Sequence, residues 1–261
     1  MRKKWLNILV LMIVIVFFRD NTFGFDKLDD IQDIKVKFIK SEFERMVGGN
    51  LLYSDEHLRL IHTNITKTIK NAPWDFFIES QFFVYVDRNP KKQFMILCFF
   101  DARNNQIKII GIDKVSTGNP DRKGYFITPI GFFKNTTDNF GYRALGVKND
   151  KGWRGLGAKG SRIWDFGWQK VLNKKGEERD IRLLIHATDP DFGEIKLGKI
   201  DSKGCVRVSA KMNNFLDYFG ILDKEYESRS NLKKVKYLLR NNRISIKFAG
   251  KYLIVGDSSG Y

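Results

Sequence analysis

Cysteine and histidine are scarce in this chain. Its 261 residues hold two cysteines, Cys98 and Cys205, and three histidines, His57, His62 and His186. Two thiols exclude a small domain scaffolded by several disulfides. They either form one bridge or stay separate. A structural zinc site needs four Cys, His or carboxylate ligands, and no stretch supplies such a set, so no metal and no cofactor are expected. His57 and His62 stand five positions apart in a segment that reads as helix. That spacing puts them on different faces, which is poor for joint ligation. Acidic residues are also in deficit, with 30 Asp and Glu against 46 Lys and Arg, a net charge of +16. Such a balance suits a polyanionic partner: nucleic acid, an anionic membrane surface or an acidic wall polymer. No internal repeat is present, which excludes a solenoid.

Only one apolar run bears on targeting. Arg2, Lys3 and Lys4 precede the run from Trp5 to Phe18 in MRKKWLNILVLMIVIVFFRDN. The run is short for a bilayer span of roughly 20 residues and suits a secretory signal core. Arg19 and Asp20 follow where small residues of a cleavage site would stand. Residues 1–25 are therefore expected to be a signal peptide or a short membrane anchor. The protein is expected to be exported to the periplasm or cell envelope, with membrane contact only through this segment. Export argues against nucleic acid as the partner.

Residues 26–80 read as a helical N-terminal segment. Ile34, Phe38, Ile39, Phe43, Met46 and Val47 recur near the helical period until Gly48 and Gly49. Leu58, Ile61, Ile65 and Ile69 form a second stripe, closed by Pro73. From Phe82 the pattern changes to three strands with polar turns at RNPKKQ and DARNNQ, then a turn-rich link into a strand containing Thr128-Pro129. Residues 134–170 carry seven glycines and Trp153, Trp164 and Trp168. They suit a mobile loop over a cleft or an irregular surface connection. Within them GLGAKG matches G-x-G-x-x-G, but no strand leads in and no amphipathic helix follows, which excludes dinucleotide binding. IRLLIHA (181–187) reads as a strand, KMNNFLDYFG as a short helix and GKYLIVGDS as a closing strand.

The chemistry concentrates in IHATDPDFGEIKLGKIDSKGCVRVS. Cys98, inside FMILCFF, has the setting of an inert core thiol. Cys205 has Lys203 and Arg207 beside it and Gly204 before it. Nearby cations favour a thiolate. Glycine permits a tight turn whose N–H groups, those of Gly204 and Cys205, can face a tetrahedral oxyanion. A thiol nucleophile also needs a base, and His186 is the one histidine outside the N-terminal helices. From the residues alone, a catalytic pair and two unrelated buried side chains both remain open.

His186, fifteen intervening residues and then Ser202-Lys203-Gly204-Cys205-Val206-Arg207 resemble the signature of the L,D-transpeptidase catalytic domain. That signature is a His followed, after about fifteen residues, by Ser/Thr-His-Gly-Cys, a hydrophobic residue and Asn or Arg. VSTGNPDRKGYFITPIGFF is similar to that family's STG and TPxG elements, and GKYLIVGDS to its closing strand. The resemblance covers roughly residues 82–210. It implies a mainly β catalytic domain over residues 81–261, a sandwich or barrel with a short helix after the cysteine, α+β overall with the N-terminal helices. It implies that Cys205 attacks the diamino acid–D-Ala bond of a peptidoglycan tetrapeptide stem, forms a thioacyl-enzyme and passes the acyl group to an amine. His186 would act as base, oriented by the main-chain carbonyl of Ala187, with the Gly204 N–H at the oxyanion. Ser202, Lys203 and Arg207 would bind substrate, the two cations holding a stem carboxylate.

One position departs from the family pattern: Lys203 stands where His is usual. It lies beside the nucleophile, so substrate or acceptor choice is where a difference is expected. Three alternatives stay open. One is a peptidoglycan hydrolase or carboxypeptidase on the same fold, with water as acceptor. Another is a papain-like peptidase, which would need Cys98 with His186. The last is a non-catalytic wall-binding protein.

Overall fold

The strand segments QFFVYVD and FMILCFFD are apolar at almost every position, not at alternate ones, which predicts a sheet covered on both faces. The computed structural model, which describes residues 31–48, 53–173 and 175–260, has that arrangement. The expected signal or anchor over 1–25 lies outside the described residues. Among the described residues, no helix is long and apolar enough to cross a membrane. The chain divides into two units between Glu42 and Phe43. In the smaller unit the described residues, 31–42, are helical, and this helix (α1) runs on to residue 46. Gly48, at φ +73°, follows its end.

The larger unit is mostly β. Its strands are β1 (Gln81–Asp87), β2 (Phe94–Asp101), β3 (Gln106–Ser116), β4 (Gly131–Lys134), β5 (Tyr142–Arg143), β6 (Arg162–Leu172), β7 (Glu178–Ala187), β8 (Val206–Val208) and β9 (Tyr252–Gly256). They form one curled nine-stranded sheet in the order β4-β9-β1-β2-β3-β8-β7-β6-β5. Most neighbours are antiparallel, but β1–β9 and β7–β8 are parallel. The helices are α2 (Asp55–Ile69), α3 (Ala210–Tyr218), α4 (Lys224–Ser228) and α5 (Lys233–Leu238). The mainly β, α+β architecture expected from the sequence is therefore present.

Each face of the sheet has its own core. Ile61, Ile65 and Ile69 of α2 pack with Phe76 onto Phe83, Tyr85, Ile96, Cys98, Phe100 and Tyr252. Period two sends the intervening Phe82 and Phe99 to the opposite face, where their rings meet at 4.9 Å and Phe99 also meets Phe248. Phe43 meets Phe215 of α3 at 5.3 Å. The α3 helix forms where the spacing predicts, with Met212, Phe215, Leu216 and Phe219 all buried. Ser209 caps it, its hydroxyl accepting the Met212 N–H at 3.0 Å.

Two segments differ from expectation. Thr128-Pro129 precedes β4 instead of lying inside it, because the residues from Thr117 to Ile130 form a turn-rich crossing with only an isolated bridge. The glycine-rich segment 134–170 is not loop throughout: β6 begins at Arg162. Gly167 sits in β6 at φ +79°, at a bulge between Asp165 and Trp168. A bulge needs one residue in this backbone region, and glycine takes it freely. The start of β6 is pinned from below. Arg162 and Asp223 are both fully buried and pair at 3.2 Å, and the Trp164 indole N–H also donates to Asp223 at 3.2 Å.

Candidate active site

The two halves of the candidate pair sit on adjacent parallel strands. The register pairs Ile185 with Val206, His186 with Arg207 and Ala187 with Val208. Stepping back one residue brings Leu184 level with Cys205. His186 and Cys205 are thus diagonal neighbours, and Leu184, His186, Cys205 and Arg207 share a face by the pleat. Cys205 packs beside Ala144, Leu156, Ile163 and Leu184. No hydrogen bond joins Cys205 to His186 among the described residues. The thiol contacts the Arg182 carbonyl at 3.6 Å.

The His186 ring is buried, and its Nδ1 lies 2.9 Å from the Ala187 carbonyl oxygen. A carbonyl only accepts, so Nδ1 carries the hydrogen and a neutral ring keeps its lone pair on Nε2. Burial lowers the His186 pKa to about 4, with the positive charge of Arg207 pushing the same way against the Ala187 bond. Burial also pushes the half-buried Cys205 thiol up to about 11, against the Leu184 main-chain contact and Arg207. The resting pair is a thiol beside a neutral imidazole, not a thiolate beside an imidazolium. Desolvation works against the flanking cations at this sulfur.

The turn before Cys205 is braced from inside. Ser202 is buried; its hydroxyl accepts the Gly204 N–H at 3.0 Å and donates to the Cys205 carbonyl at 2.5 Å. Gly204 takes φ +130°, and a Cβ there would stand 2.5 Å from Ile181 Cδ1. Both polar groups have partners inside the turn. Ser202 braces the turn, and the Gly204 N–H already has an acceptor. Arg207 is held by Asp201 at 2.6 Å, a carboxylate that also pairs with Arg122 at 2.7 Å. Lys203 is exposed, with its ammonium 5.8 Å from the centre of the Tyr125 ring.

The STG and TP segments meet at this turn. Thr128 Oγ1 accepts the Gly118 N–H and donates to the Gly204 carbonyl, both at 2.8 Å. A Cβ on Gly118 would lie 1.9 Å from the Phe126 carbonyl oxygen. The Thr117 N–H donates to Gln93 Oε1 at 2.7 Å, and the Ser202 N–H to the Thr117 carbonyl at 2.9 Å. Gln93 itself sits at φ +43°. These bonds tie both segments to the turn that carries Cys205. The task of STG and TP is not visible in the sequence, since hydrogen bonds between distant loops leave no periodic trace.

Tyr142, Asp165 and Arg182 belong to no motif in the sequence, and they stand with Trp168 on the cysteine's side of the sheet. Counting back by two from His186 reaches Leu184 and then Arg182, the one available signal. Both cysteines are free thiols, which removes the option of a bridge. Cys98 is fully buried, and desolvation raises its pKa well above the usual thiol range. Among the described residues no group of three or more Cys, His, Asp or Glu is placed to hold a metal ion.

No family model matches this chain, and no curated protein does. Among solved structures it is similar to the Bdellovibrio bacteriovorus protein Bd1075, at 13% identity and a TM-score of 0.33, over 69% of this chain and 48% of that one. It is also similar to an L,D-transpeptidase (Yku) from Stackebrandtia nassauensis, at 16% identity and a TM-score of 0.31, over 85% of this chain and 78% of that one. The chain spans about half the length of the Bdellovibrio structure. These likenesses are too distant to transfer the role of any residue.

Proposed function

We propose that the protein is an exported, cysteine-dependent acyltransferase acting on peptidoglycan stem peptides, an L,D-transpeptidase in reaction type. The observation that carries this reading is the His186–Ala187 hydrogen bond at 2.9 Å on the strand adjoining Cys205. It leaves an unprotonated Nε2 lone pair on a ring held in one orientation, which is what a thiol nucleophile requires of its partner. The signature around Cys205 supports the choice of substrate.

In this reading His186 Nε2 takes the thiol proton as sulfur attacks the carbonyl between the diamino acid and the terminal D-Ala. The proton passes to the departing D-Ala amine, and a thioacyl-enzyme remains. An amine of a second stem then attacks, with His186 accepting its proton, and Cys205 is released as thiol. Since the Gly204 N–H already has an acceptor, the Cys205 N–H is the donor we assign to the oxyanion. The glycan-bearing wall polymer gives the excess of positive charge a use.

Mass spectrometry of tetrapeptide stems incubated with purified protein tests the proposal. Loss of D-Ala with a thioacyl adduct on Cys205 and cross-linked dimers is the expected result. Loss of D-Ala without dimers identifies a carboxypeptidase. Binding to peptidoglycan with no adduct refutes the enzyme reading.

A further inference from the structure

The side of the sheet that carries Cys205 also holds a charged group the reaction above leaves unused. Arg182 pairs across strands with Trp168, and Leu184 with Asp165. The pleat therefore sets Arg182, Leu184 and His186 on one face, with Asp165 and Trp168 beside them. Asp165 is buried and takes one edge of the guanidinium: Arg182 Nε lies 3.2 and 3.1 Å from its two oxygens, and Nη2 also donates to it. The same carboxylate accepts the Gly167 N–H at 2.9 Å, which anchors it in the bulge. The guanidinium carbon stands 5.4 Å from the centre of the Trp168 ring.

The other edge of this guanidinium is not used. Arg182 Nη1 has no hydrogen-bond partner among the described residues, and the Arg182 side chain is 39% exposed while that of Asp165 is 3% exposed. A pair serving only to neutralise a buried carboxylate has no need to present an open fork. By the pleat the side chain stands on the sheet face that carries Cys205, two residues along β7 from Leu184. The Arg182 carbonyl is the group 3.6 Å from Cys205 Sγ. The Tyr142 phenol, raised in pKa chiefly by burial, also senses Asp165, Cys205 and Arg182 together.

We propose that Arg182 receives a free carboxylate of the substrate bound at Cys205, namely the α-carboxylate of the amino acid that leaves. The proposal rests on the acyl-transfer reading above and names its selection rule. In a C-terminal residue the carboxylate carbon lies three bonds beyond the attacked carbonyl, within roughly 4 Å by standard bond lengths. The Nη1/Nη2 edge matches a carboxylate bidentately, while Asp165 and Trp168 keep it oriented. Arg182 is thus a specificity residue that moves no proton. It makes the enzyme select a stem whose fourth residue is the chain end.

Alkylation of Cys205 by iodoacetate and by iodoacetamide tests this in the full chain carrying Cys98→Ala. The anionic reagent should react faster relative to the neutral one. Arg182→Gln should lower the ratio about tenfold, the scale of one charge-assisted contact, and leave the iodoacetamide rate nearly unchanged. Arg182→Gln with Asp165→Asn should keep the low ratio, which separates carboxylate binding from the stranding of Asp165. An unchanged ratio in both variants overturns the proposal. A second arm compares a tetrapeptide stem with its C-terminal carboxamide. Arg182→Gln should raise KM for the acid and not for the amide. If the parent treats acid and amide alike, the leaving-group assignment is wrong. If it turns over neither, the acyl-transfer reading fails while the alkylation ratio still decides the role of Arg182.

Discussion

The His186 ring reaches its own neighbour, Nδ1 lying 2.9 Å from the carbonyl of Ala187. This contact and burial set a pH dependence. The folded pKa lies near 4 against 6.5 for a free histidine. Between these values the unfolded chain binds a proton that the native state does not, so stability rises with pH across the window. Stability is whole above pH 6.5 and falls as the pH drops towards 4, by up to roughly 3 kcal/mol. His186→Gln should flatten that part of the curve in denaturant titrations. The acid limb of kcat/KM should likewise fall near pH 4. A limb at 6.5 would mean the ring is solvated in the working enzyme.

The two thiols should behave oppositely. Cys205→Ala should abolish turnover and adduct formation, because it removes the thiol that shares the sheet face with His186. Cys98→Ala should keep most of the activity and cost about 1 kcal/mol in stability, since it only opens a small void in the core beneath α2. The converse pattern would revive the papain-like alternative.

Much of the fold was legible because its signals are local. Unbroken apolar runs marked β1 and β2, and the spacing of Met212, Phe215, Leu216 and Phe219 marked α3. The start of β6 was hidden because Arg162, Asp165 and Gly167 look like loop residues until Asp223, Arg182 and the bulge account for them. At the site, the residue types picked out Cys205 and His186, but not the state of either. Sequence neighbours suggested an activated thiolate. Desolvation, which depends on what packs above Cys205, reversed the sign. The bonds of Ser202 and Gly204 were hidden for the same reason: the partners of their polar groups lie within the turn itself.

Thr128 joins three segments with one hydroxyl, between the Gly118 N–H and the Gly204 carbonyl. Thr128→Val keeps the shape and strands both buried partners, at a cost of about 1–3 kcal/mol. Because Gly204 precedes the nucleophile, turnover should fall more than stability alone would explain. Thr128→Ser should restore most of both. If Thr128→Val is fully active, the STG and TP segments do not position Cys205.

The Arg162–Asp223 pair should be the most sensitive polar element of the larger unit. Both side chains are fully buried, and Asp223 also accepts from Trp164 and Asn135. Asp223→Ala leaves the buried guanidinium with only the longer contact to Asp217 at 4.0 Å, and losing the closer partner costs about 3–5 kcal/mol. A double change of Arg162 and Asp223 to Met and Leu should recover a large part of that loss in thermal unfolding. If the single variant is as stable as the parent, Arg162 has found another partner, and the start of β6 is set by something else.

Lys203 gives the last test, because it is where this chain departs from the pattern around its cysteine. Its side chain is exposed and rests against Tyr125, while burial, Leu184, Arg207 and Asp165 are the influences on the Cys205 thiol. An exposed ammonium is screened by water and salt, so its field at the sulfur is weak. Lys203→Ala should therefore leave the Cys205 alkylation rate within about twofold at physiological ionic strength. An effect of Lys203→His should appear in which acceptor resolves the thioacyl-enzyme, read as the ratio of cross-linked to hydrolysed stems. A large change in thiol reactivity with an unchanged product ratio would reverse this assignment and make Lys203 part of the nucleophile's electrostatics.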